Sequence, residues 1–367
     1  MNELINILLL VYALLGSFIV LGHVLQSRNE LNYQTNETEK IDLSTLVVII
    51  PFRNEAHRIT SLIKSVNKLE KHPQKYIFIN DHSTDDTKTK IKELNNYIPY
   101  EIIDLPNSCY GKKNAIQFGI KHLKVDYNLT WDADISLSKN YFNAIEKLQQ
   151  KDLYILPVVM KGNNLSQLFF ESDHAIANAI NTGLSGLSRP FLASGANLLF
   201  KQESYLNCHS LDKHIHIASG DDLFLLRDFR QHKSEIELIT NQNLAVTTPS
   251  PLTIKEFIEQ RLRWISKGNQ VGDQLSNLLA MVSFFFNGSF YSIYLFLAYE
   301  ELWPLLIFTF SWKTIIDQLV YAPYFFKIKR RSTWLLLPIF SIIQPIYLLV
   351  LLILIPFYKA QWKGRTI

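Results

Sequence analysis

An uncharged apolar segment near the N-terminus sets the first limit on how this chain can fold. Residues 4–25 include no Lys, Arg, Asp or Glu, and a helix of this length, at about 1.5 Å per residue, can cross a hydrocarbon core of roughly 30 Å. A cleavable signal peptide is the alternative, but the segment is longer than the usual apolar core of a signal peptide and has no small-residue cleavage site. We therefore predict an N-terminal transmembrane anchor over residues 1–27.

The C-terminal part of the chain turns apolar again. Three further apolar segments lie there, at about 275–299, 302–326 and 334–357. The last of them has no formal charge and is the clearest candidate for a membrane span. The middle one contains Lys313 and Asp317 one helical turn apart, so it is either an interfacial helix or a span with an internal ion pair. We predict a C-terminal membrane region over 274–367 with two to three apolar segments and a basic tail.

Basic residues beside these segments predict the orientation. Arg28 follows the first apolar segment, and a basic cluster at residues 327–331 separates the last two. By the positive-inside rule, both belong on the cytosolic side. Four complete spans would place the basic C-terminal tail on the opposite side, so we expect one apolar segment not to cross, or to cross as a hairpin.

Composition excludes several classes of protein. With 48% hydrophobic and 19% charged residues, the chain is typical of neither disordered nor fibrous proteins. The net charge of +4 is too small to indicate nucleic-acid binding without a concentrated basic face, and we expect no nucleic-acid partner. Cys109 and Cys208 cannot make a disulfide framework or a four-ligand zinc site, so we expect reduced cytosolic thiols.

Between the apolar ends, strand patterns alternate with helix patterns. The predicted strands are 46–52, 76–79, 101–104 and 127–131, and the predicted helices between them are about 59–69, 84–94 and 112–123. This alternation predicts an α/β domain with a mostly parallel sheet and helices on both faces. Ligands bind at the carboxyl ends of such strands, where Asp81 and Asp132 stand. The chain has no GxGxxG after the first strand and no P-loop, so a bound diphosphate would need other groups.

Asp132 and Asp134 form the first candidate site motif. Two carboxylates two residues apart on extended chain point to the same side. Their hard oxygens suit Mg²⁺ or Mn²⁺ that bridges to phosphate oxygens. A solvated turn or a helix cap is the alternative interpretation of such a pair.

Two more acidic motifs have similar alternatives. Residues 80–86 form either a polar turn with a helix cap or a site beyond an apolar strand. Asp221 and Asp222 run into an apolar segment, and adjacent carboxylates beside a low-dielectric wall raise one another's pKa, which suits a general base. A helix start, whose dipole favours acids, explains the same pair.

A helix is predicted to begin near Thr253, where Thr253 and Glu256 form a capping box. One side of this helix is apolar, whereas Gln260, Arg263 and Trp264 recur on the other side. An Arg for phosphate and a Trp face for a sugar ring would explain the set. An interfacial helix with Trp at headgroup level is the alternative.

Together these motifs resemble those of the membrane-bound family 2 glycosyltransferases, which have a GT-A catalytic domain and include the cellulose, chitin and hyaluronan synthases. The resemblance covers about residues 46–268 and the flanking apolar segments. It rests on five motifs in the family's order, at residues 51–55, 80–85, 132–134, 220–222 and 260–264. It implies a GT-A nucleotide-diphospho-sugar transferase fold, Rossmann-like with a mostly parallel sheet, in a cytosolic domain over 28–273.

The resemblance also assigns roles. The residues that it places at the nucleotide are Pro51, Arg53, Glu55, Asp81, Asp132 and one of Lys112 and Lys113, and we expect Lys113. It implies that Asp132 and Asp134 hold the metal and diphosphate and that Asp222, beside Asp221, is the catalytic base. It places Gln260, Arg263 and Trp264 near the diphosphate and the acceptor. Gly195 and Asn197, with Trp264, are expected at the acceptor.

Three residues depart from the family pattern. Asn80 and His82 stand where the family has an aspartate and a glycine, and Asp221 stands where it has a glutamate. The chain also has fewer apolar segments than the large processive synthases have spans. A single-sugar transfer, or a channel completed by membrane partner subunits, is therefore expected rather than a polymer channel within one chain.

The residues and the resemblance imply an inverting sugar transfer from a nucleotide sugar, expected to be a UDP-sugar, with Mg²⁺ or Mn²⁺ as the cofactor. The expected acceptor is a lipid or glycan at the bilayer, and the expected location is a bacterial inner membrane with the catalytic domain in the cytosol. One alternative is a non-catalytic nucleotide-sugar-binding or scaffold subunit of an envelope polysaccharide assembly. Another is a metal-dependent phosphohydrolase, which would leave Gln260, Arg263 and Trp264 poorly explained.

Overall fold

The structure is a computed structural model that describes residues 2–35, 39–208, 220–271, 274–358, 361–362 and 365–366. It divides into two compact units, each built from separate stretches of chain. The helical unit comprises residues 1–29, 162–191 and 251–360. The sheet unit comprises residues 30–161, 192–250 and 361–367.

The elements of both units are numbered here in chain order. The helices are α1 (Asn2–Thr35), α2 (Thr60–Val66), α3 (Thr87–Ile91), α4 (Lys112–His122), α5 (Tyr141–Ile145), α6 (Leu165–Leu187), α7 (Gln202–Cys208), α8 (Asp221–Gln231), α9 (Ile254–Val271), α10 (Gln274–Tyr299), α11 (Trp303–Lys327), α12 (Arg331–Leu335) and α13 (Leu337–Leu354). The strands are β1 (Leu46–Phe52), β2 (Lys75–Asn80), β3 (Tyr100–Asp104), β4 (Tyr127–Trp131), β5 (Ser136–Leu137), β6 (Leu153–Ile155), β7 (Val158–Lys161), β8 (Asn197–Lys201), β9 (Ile236–Leu238), β10 (Val246–Pro249), β11 (Gln361–Trp362) and β12 (Arg365–Thr366).

A seven-stranded sheet in the order β3-β2-β1-β4-β8-β6-β9 forms the centre of the sheet unit. Strands β3, β2, β1 and β4 are mutually parallel, β6 and β9 are also parallel, and β8 runs antiparallel to both β4 and β6. A smaller sheet has the order β5-β10-β7. The predicted α/β architecture with a mostly parallel sheet is therefore confirmed.

Strand β1 shows why the strands could be predicted from the sequence. All seven of its residues are buried, so the strand is apolar throughout rather than alternating. Val48 and Ile50 pack in one hydrophobic core, while Val47 and Ile49 pack in the other. Burying such a side chain completely contributes about 1.5–3 kcal/mol. The two cores therefore fix β1 at the middle of the sheet, with its carboxyl end at the edge where acids were expected.

The helix after β2 starts later than the predicted residues 84–94, because α3 begins at Thr87. Asp85 accepts hydrogen bonds from the backbone N–H of Ala56 at 3.0 Å and of Thr87 at 3.1 Å. These bonds hold residues 84–86 in a turn against the loop after β1. The motif is thus a polar turn, and it also ties together the two loops that border the candidate site.

Three helices of the chain are long and apolar enough to cross a membrane, at Glu3–Leu31, Asn277–Tyr299 and Leu337–Phe357 among the described residues. They correspond to the first, second and last of the predicted apolar segments. The remaining segment forms α11, in which Lys313 Nζ lies 2.7 Å from Asp317 Oδ2. The number of true spans and the boundaries at residues 27 and 273 stay predictions.

Helix α6 belongs to the helical unit, where it crosses α1 at close range. A Cβ atom added to Gly22 would lie 1.8 Å from the carbonyl oxygen of Gly183, and one added to Gly186 would lie 2.0 Å from the carbonyl oxygen of Gly22. Small residues let two helix backbones touch in this way. The glycines of these two helices therefore allow the close packing of α1 on α6.

A buried carboxylate holds α6 to the basic cluster. Glu171 is 1% exposed, and it accepts hydrogen bonds from Arg330 Nε at 2.5 Å, Thr333 Oγ1 at 2.6 Å and the backbone N–H of Gly162 at 2.9 Å. Arg330 is thus a structural partner of α6 as well as a member of the basic cluster.

Candidate functional site

Several predicted site acids of the sheet unit meet around one lysine. Lys112, the first residue of α4, places Nζ 2.7 Å from Asp132 Oδ1 and 3.7 Å from Asp221 Oδ2. Asp132 follows β4, and Asp221 begins α8. The backbone N–H of Gly195 donates to Asp222 Oδ2 at 3.4 Å. The structure therefore brings Asp132, Asp221, Asp222 and Gly195 together around Lys112.

Gly195 is required by this close approach. A Cβ atom at Gly195 would lie 2.7 Å from Asp221 Oδ2 and 3.1 Å from Lys112 Nζ. A side chain here would force the acid or the lysine to move, whereas glycine lets the backbone lie against both.

The charge of Lys112 is maintained by the acids. Burial acts to lower the pKa of Lys112, but the carboxylates of Asp132, Asp221 and Asp222 outweigh burial and hold that pKa above its usual value. The cluster therefore has a permanent cation among its carboxylates.

The lysine in contact with the acids differs from the one predicted. Lys113 is the lysine expected at the nucleotide, but Lys112 reaches Asp132, and Lys113 is 2% exposed with its Nζ 4.4 Å from the centre of the Phe224 ring. Adjacent residues at a helix start project in different directions, and the sequence could not indicate which one faces the strand ends. We correct the assignment to Lys112.

Asp132 and Asp134 are not on extended chain, so the geometric argument for their pairing was wrong. Residues 133 and 134 form a turn between β4 and β5. Asp134 Oδ2 lies 3.5 Å from Arg58 Nη1, and Arg58 Nε lies 3.1 Å from Glu55 Oε2. Each acid of the motif therefore has its own cation, Lys112 for Asp132 and Arg58 for Asp134.

The donor set of this turn fits a hard divalent cation that shares its ligands with phosphate. Within the described ranges, no three His, Cys, Asp or Glu side chains are grouped closely enough to hold a metal by themselves. Asp132 already binds one cation, Lys112, through carboxylate oxygen. Mg²⁺ and Mn²⁺ at phosphate sites commonly take one or two carboxylates, with phosphate and water completing the shell.

Asp81 organises the loops at the other end of the cluster. It is 1% exposed, and its Oδ2 accepts from the backbone N–H of Gly111 at 3.1 Å. Its Oδ1 lies 3.1 Å from His82 Nδ1, and its carbonyl accepts from Arg53 Nη1 at 2.9 Å. Asp81 therefore connects the end of β2 to the start of α4.

Two other predicted nucleotide residues lie close to this network. Pro51 is buried within β1. Glu55 is 9% exposed, and its backbone N–H donates to Thr87 Oγ1 at 2.9 Å. They support the loop after β1 beside the candidate site.

Asn197 is interior, in contrast to its predicted place at the acceptor. Its side chain is 0% exposed, donates to the carbonyls of Pro157 and Leu244 at 2.9 Å each, and accepts from the hydroxyl of Tyr141 at 2.6 Å. With these bonds made inside the protein, Asn197 supports the segment that carries Gly195. We therefore replace its expected acceptor contact by a structural role.

The other predicted residues lie on α9 of the helical unit. One of the two hydrogen bonds of the predicted capping box is present, because the backbone N–H of Glu256 donates to Thr253 Oγ1 at 3.2 Å. Gln260 Oε1 and Arg263 Nε are enclosed, and no described residue hydrogen-bonds either atom. Such unsatisfied groups are costly unless a ligand completes them.

Trp264 has an arginine on one ring face, which the sequence did not indicate. The guanidinium of Arg261 lies 4.3 Å from the centre of the Trp264 ring, and its Nη2 lies 2.6 Å from Asp173 Oδ2. Arg261 follows Phe257 by one helical turn on the apolar side, and a charge there needs a buried partner. A charged residue on the apolar side of the predicted helix is the sequence feature that could have identified Arg261 and indicated that it needs a buried acidic partner, which is Asp173.

Two family models match the chain. The model described as Glycosyl transferase family 2 matches residues 47–208, and the model described as Glycosyl transferase family group 2 matches residues 129–360. The second match alone covers more than half of the chain. Between them they include the acid motifs and the motif on α9.

Individual proteins are more distant. The poly-beta-1,6-N-acetyl-D-glucosamine synthase of Staphylococcus aureus (strain COL) is 30% identical over 139 residues, which cover 36% of this chain and 33% of that relative. The matched stretch is thus about a third of the relative's length.

Two solved structures are also similar. The mannosyltransferase PcManGT from Pyrobaculum calidifontis, solved with GDP-Man and Mn²⁺, is 11% identical with a TM-score of 0.49, over 95% of this chain and 99% of that one. The glucosyl-3-phosphoglycerate synthase of Mycobacterium tuberculosis, solved with Mn²⁺, UDP and phosphoglyceric acid, is 16% identical with a TM-score of 0.42, over 63% and 80%.

The family matches confirm the resemblance drawn from the motifs. The matched residues include Asp81, Asp132, Asp222 and Arg263, and the fold is the mixed α/β sheet that the motifs implied. The chain belongs to glycosyltransferase family 2.

Proposed function

We propose that this protein transfers a sugar from a nucleoside-diphosphate donor, expected to be a UDP-sugar, to a hydroxyl of a lipid or glycan at the membrane, with inversion at the sugar carbon. The observation that carries this proposal is the contact of Lys112 with both Asp132 and Asp221. Through it, the acid expected at the diphosphate and the acid beside the expected base belong to one site.

On the donor side, the cationic groups match a diphosphate leaving group. Asp132 and Asp134 would hold Mg²⁺ or Mn²⁺, which supplies charge stabilisation to the departing diphosphate. Lys112 lies 2.7 Å from Asp132, so its charge would also reach the phosphate oxygens. Arg58, which is exposed and 3.5 Å from Asp134, can release that acid at little cost because exposed ion pairs are weak.

On the acceptor side, Asp222 is the proposed base. Its Oδ1 accepts from the backbone N–H of Leu223 at 2.9 Å, and its Oδ2 accepts from Gly195 N–H at 3.4 Å. These bonds orient the carboxylate. Asp222 would take the proton of the acceptor hydroxyl while that oxygen forms a bond to the sugar C1 and the bond from C1 to the diphosphate oxygen breaks. The nucleoside diphosphate leaves with the bonding electrons, and no covalent enzyme intermediate is needed.

The family resemblance also assigns roles to three residues of α9. Gln260 and Arg263 have enclosed polar atoms that no described residue hydrogen-bonds, which is consistent with a role at a polar ligand. By the family resemblance we assign Gln260 and Arg263 to the diphosphate and Trp264 to the acceptor. The three apolar helices favour an acceptor that is presented at the bilayer.

Location, partners and domain boundaries belong to the same proposal. We propose a bacterial inner membrane as the location, and the basic residues that flank the apolar segments favour an orientation with the sheet unit in the cytosol. We propose an anchor over 1–27, a GT-A domain over 28–273 and a membrane region over 274–367. Because the chain has few apolar segments for a polymer channel, partner subunits would supply any channel. UDP-N-acetylglucosamine is the first donor to test, since the matched relative is named for a polymer of that sugar.

The experiment is a donor screen on the full chain in detergent. Nucleoside diphosphate release is measured with a panel of nucleotide sugars, with Mg²⁺ or Mn²⁺ and with EDTA. We expect one preferred donor, loss of release with EDTA, and at least about a hundredfold loss in Asp222→Asn. Asp126→Asn, at an exposed aspartate, is the matched control and should retain full release.

The screen also separates the alternatives. Metal-dependent nucleotide binding without turnover, in the presence of membrane lipid extracts as acceptor, would favour a non-catalytic subunit. Release of inorganic phosphate from a lipid diphosphate would favour a phosphohydrolase. Full activity in Asp222→Asn would remove this residue as the base.

A further inference from the structure

An aromatic pair lies beside Asp81 and has no role in the chemistry described so far. The rings of His82 and Tyr110 have centroids 4.7 Å apart with planes inclined by 33°. His82 directly follows Asp81, and Tyr110 comes two residues before Lys112, the first residue of α4. Tyr110 is 50% exposed, so part of its surface faces solvent at the edge of the site.

His82 adopts a conformation that costs free energy. Its φ of 55° lies in the left-handed region, which glycine reaches without strain and most other residues avoid. Its Nδ1 lies 3.1 Å from Asp81 Oδ1, while its Nε2 is enclosed and no described residue hydrogen-bonds it. A strained backbone and an unsatisfied buried atom at one residue commonly indicate a functional constraint.

The order of groups along the next loop matches the order of groups in a nucleotide. Tyr110 supplies an aromatic ring, the N–H of Gly111 donates to Asp81 at 3.1 Å, and Lys112 Nζ reaches Asp132 at 2.7 Å. Three consecutive residues thus extend from Asp81 to the acids expected at the diphosphate. A nucleoside diphosphate likewise runs from an aromatic base through a ribose to charged phosphates.

We propose that Tyr110, backed by His82, is the platform on which the donor's nucleobase stacks. His82 supports one side of the Tyr110 ring, and its bond to Asp81 fixes the platform to the end of β2. The base stacks on the solvent-facing part of Tyr110, and the phosphates extend toward Lys112. This inference rests on the proposed function, because it takes the nucleotide donor as the ligand.

The test compares ligands with and without a base. Binding of UDP, GDP and inorganic pyrophosphate to the full chain in detergent with Mg²⁺ is measured by calorimetry. In Tyr110→Ala, we expect the better-bound nucleotide to lose about tenfold in affinity, as for the loss of one stacking contact between a base and an aromatic side chain. Pyrophosphate affinity should be unchanged, since it has no base to stack.

A second variant avoids the risk of misfolding. His82→Gly suits the left-handed backbone, so the protein should fold, but Tyr110 loses its support and nucleotide affinity should fall by a smaller factor than in Tyr110→Ala. The control is Tyr97→Ala, because Tyr97 is an even more exposed tyrosine, at 67%, and it contacts Asn95 and His72 instead of the site.

The outcomes separate this inference from the proposed function. Unchanged nucleotide affinity in Tyr110→Ala, or an equal loss for nucleotide and pyrophosphate, overturns the platform while leaving the transferase proposal in place. If the unmodified protein binds neither nucleotide with metal, both fail together. Saturation-transfer NMR adds an independent readout: the base protons should lose their signal in Tyr110→Ala relative to the unmodified protein.

Discussion

Lys112 Nζ lies 2.7 Å from Asp132 Oδ1 and 3.7 Å from Asp221 Oδ2. One cation thereby neutralises part of the charge that two carboxylates would otherwise exert on each other. In the absence of a donor, this arrangement keeps the acids of β4 and α8 together. On the proposed function, a bound metal and diphosphate would let the same lysine exchange a carboxylate partner for a phosphate partner.

Lys112→Gln should therefore separate metal binding from nucleotide binding. Without the lysine, Asp132 has no competing cation, so Mn²⁺ alone should bind more tightly, by about threefold to tenfold. UDP in the presence of metal should bind about tenfold more weakly, because one phosphate contact is lost. Calorimetry with Mn²⁺ alone and then with UDP measures both effects.

The control for this variant is Lys88→Gln. Lys88 makes an exposed pair with Asp104 at 2.9 Å, away from the acid cluster, so neither affinity should change. If Lys112→Gln leaves both affinities at the level of the unmodified protein, Lys112 has no role at the diphosphate.

Asp134→Ala tests the second acid of the turn. Its loss removes one of two carboxylates expected to hold the metal, and it also frees Arg58, which lies 3.5 Å away. Metal-dependent nucleotide binding should weaken at least about tenfold, whereas nucleotide binding in EDTA should stay the same or rise slightly. If nucleotide binding depends on the metal to the same extent in Asp134→Ala and in the unmodified protein, Asp134 is not a metal ligand.

The strands were predictable because a strand that is buried on both faces is a continuous run of apolar residues in the sequence. β4 coincides with the predicted residues 127–131, and its five residues are all buried. The start of α3 was not predictable from periodicity, because a hydrogen bond from Ala56 to Asp85 decides it. That bond joins residues of two separate loops, and no local pattern reports it.

The site was predictable as a set of motifs but not as a geometry. Asp132 follows a predicted strand and Asp221 precedes an apolar segment, so the sequence indicated both acids. Lys112 and Lys113 are adjacent, and only the packed helix shows that Lys112 reaches Asp132. Asn197 was expected at the acceptor because the resemblance places its segment there, but an amide whose hydrogen bonds are satisfied can be buried.

Gly195→Ala should reduce turnover more than stability. The new Cβ would lie 2.7 Å from Asp221 Oδ2, so the acid must shift and take Lys112 with it. We expect about a tenfold to hundredfold loss in kcat, in line with the effect of a displacement of about 1 Å at a reacting group. Gly288→Ala is the control, because a Cβ at Gly288 meets no atom within 4 Å, and it should leave kcat unchanged. A Gly195→Ala protein with full kcat would show that the site tolerates a shifted Asp221.

The lowered pKa of His174 allows a prediction of how the stability of the helical unit depends on pH. Burial, with a smaller contribution from the positive charge of Arg261, lowers the pKa of His174 from 6.5 to about 3. Between these two values the unfolded chain binds a proton that the folded chain does not. Stability is therefore highest above pH 6.5 and falls as the pH drops, by up to about 1.4 kcal/mol per pH unit.

The measurement is the apparent Tm of the full chain in detergent between pH 7.5 and pH 5, compared with that of His174→Gln. The native protein should lose more of its Tm than the variant over this range, because glutamine does not titrate. Burial raises the pKa of the neighbouring Asp173, which favours the folded state at acid pH and so acts in the opposite direction. Since both proteins keep Asp173, the difference between their curves gives the contribution of His174. Parallel curves would contradict the lowered pKa of the imidazole.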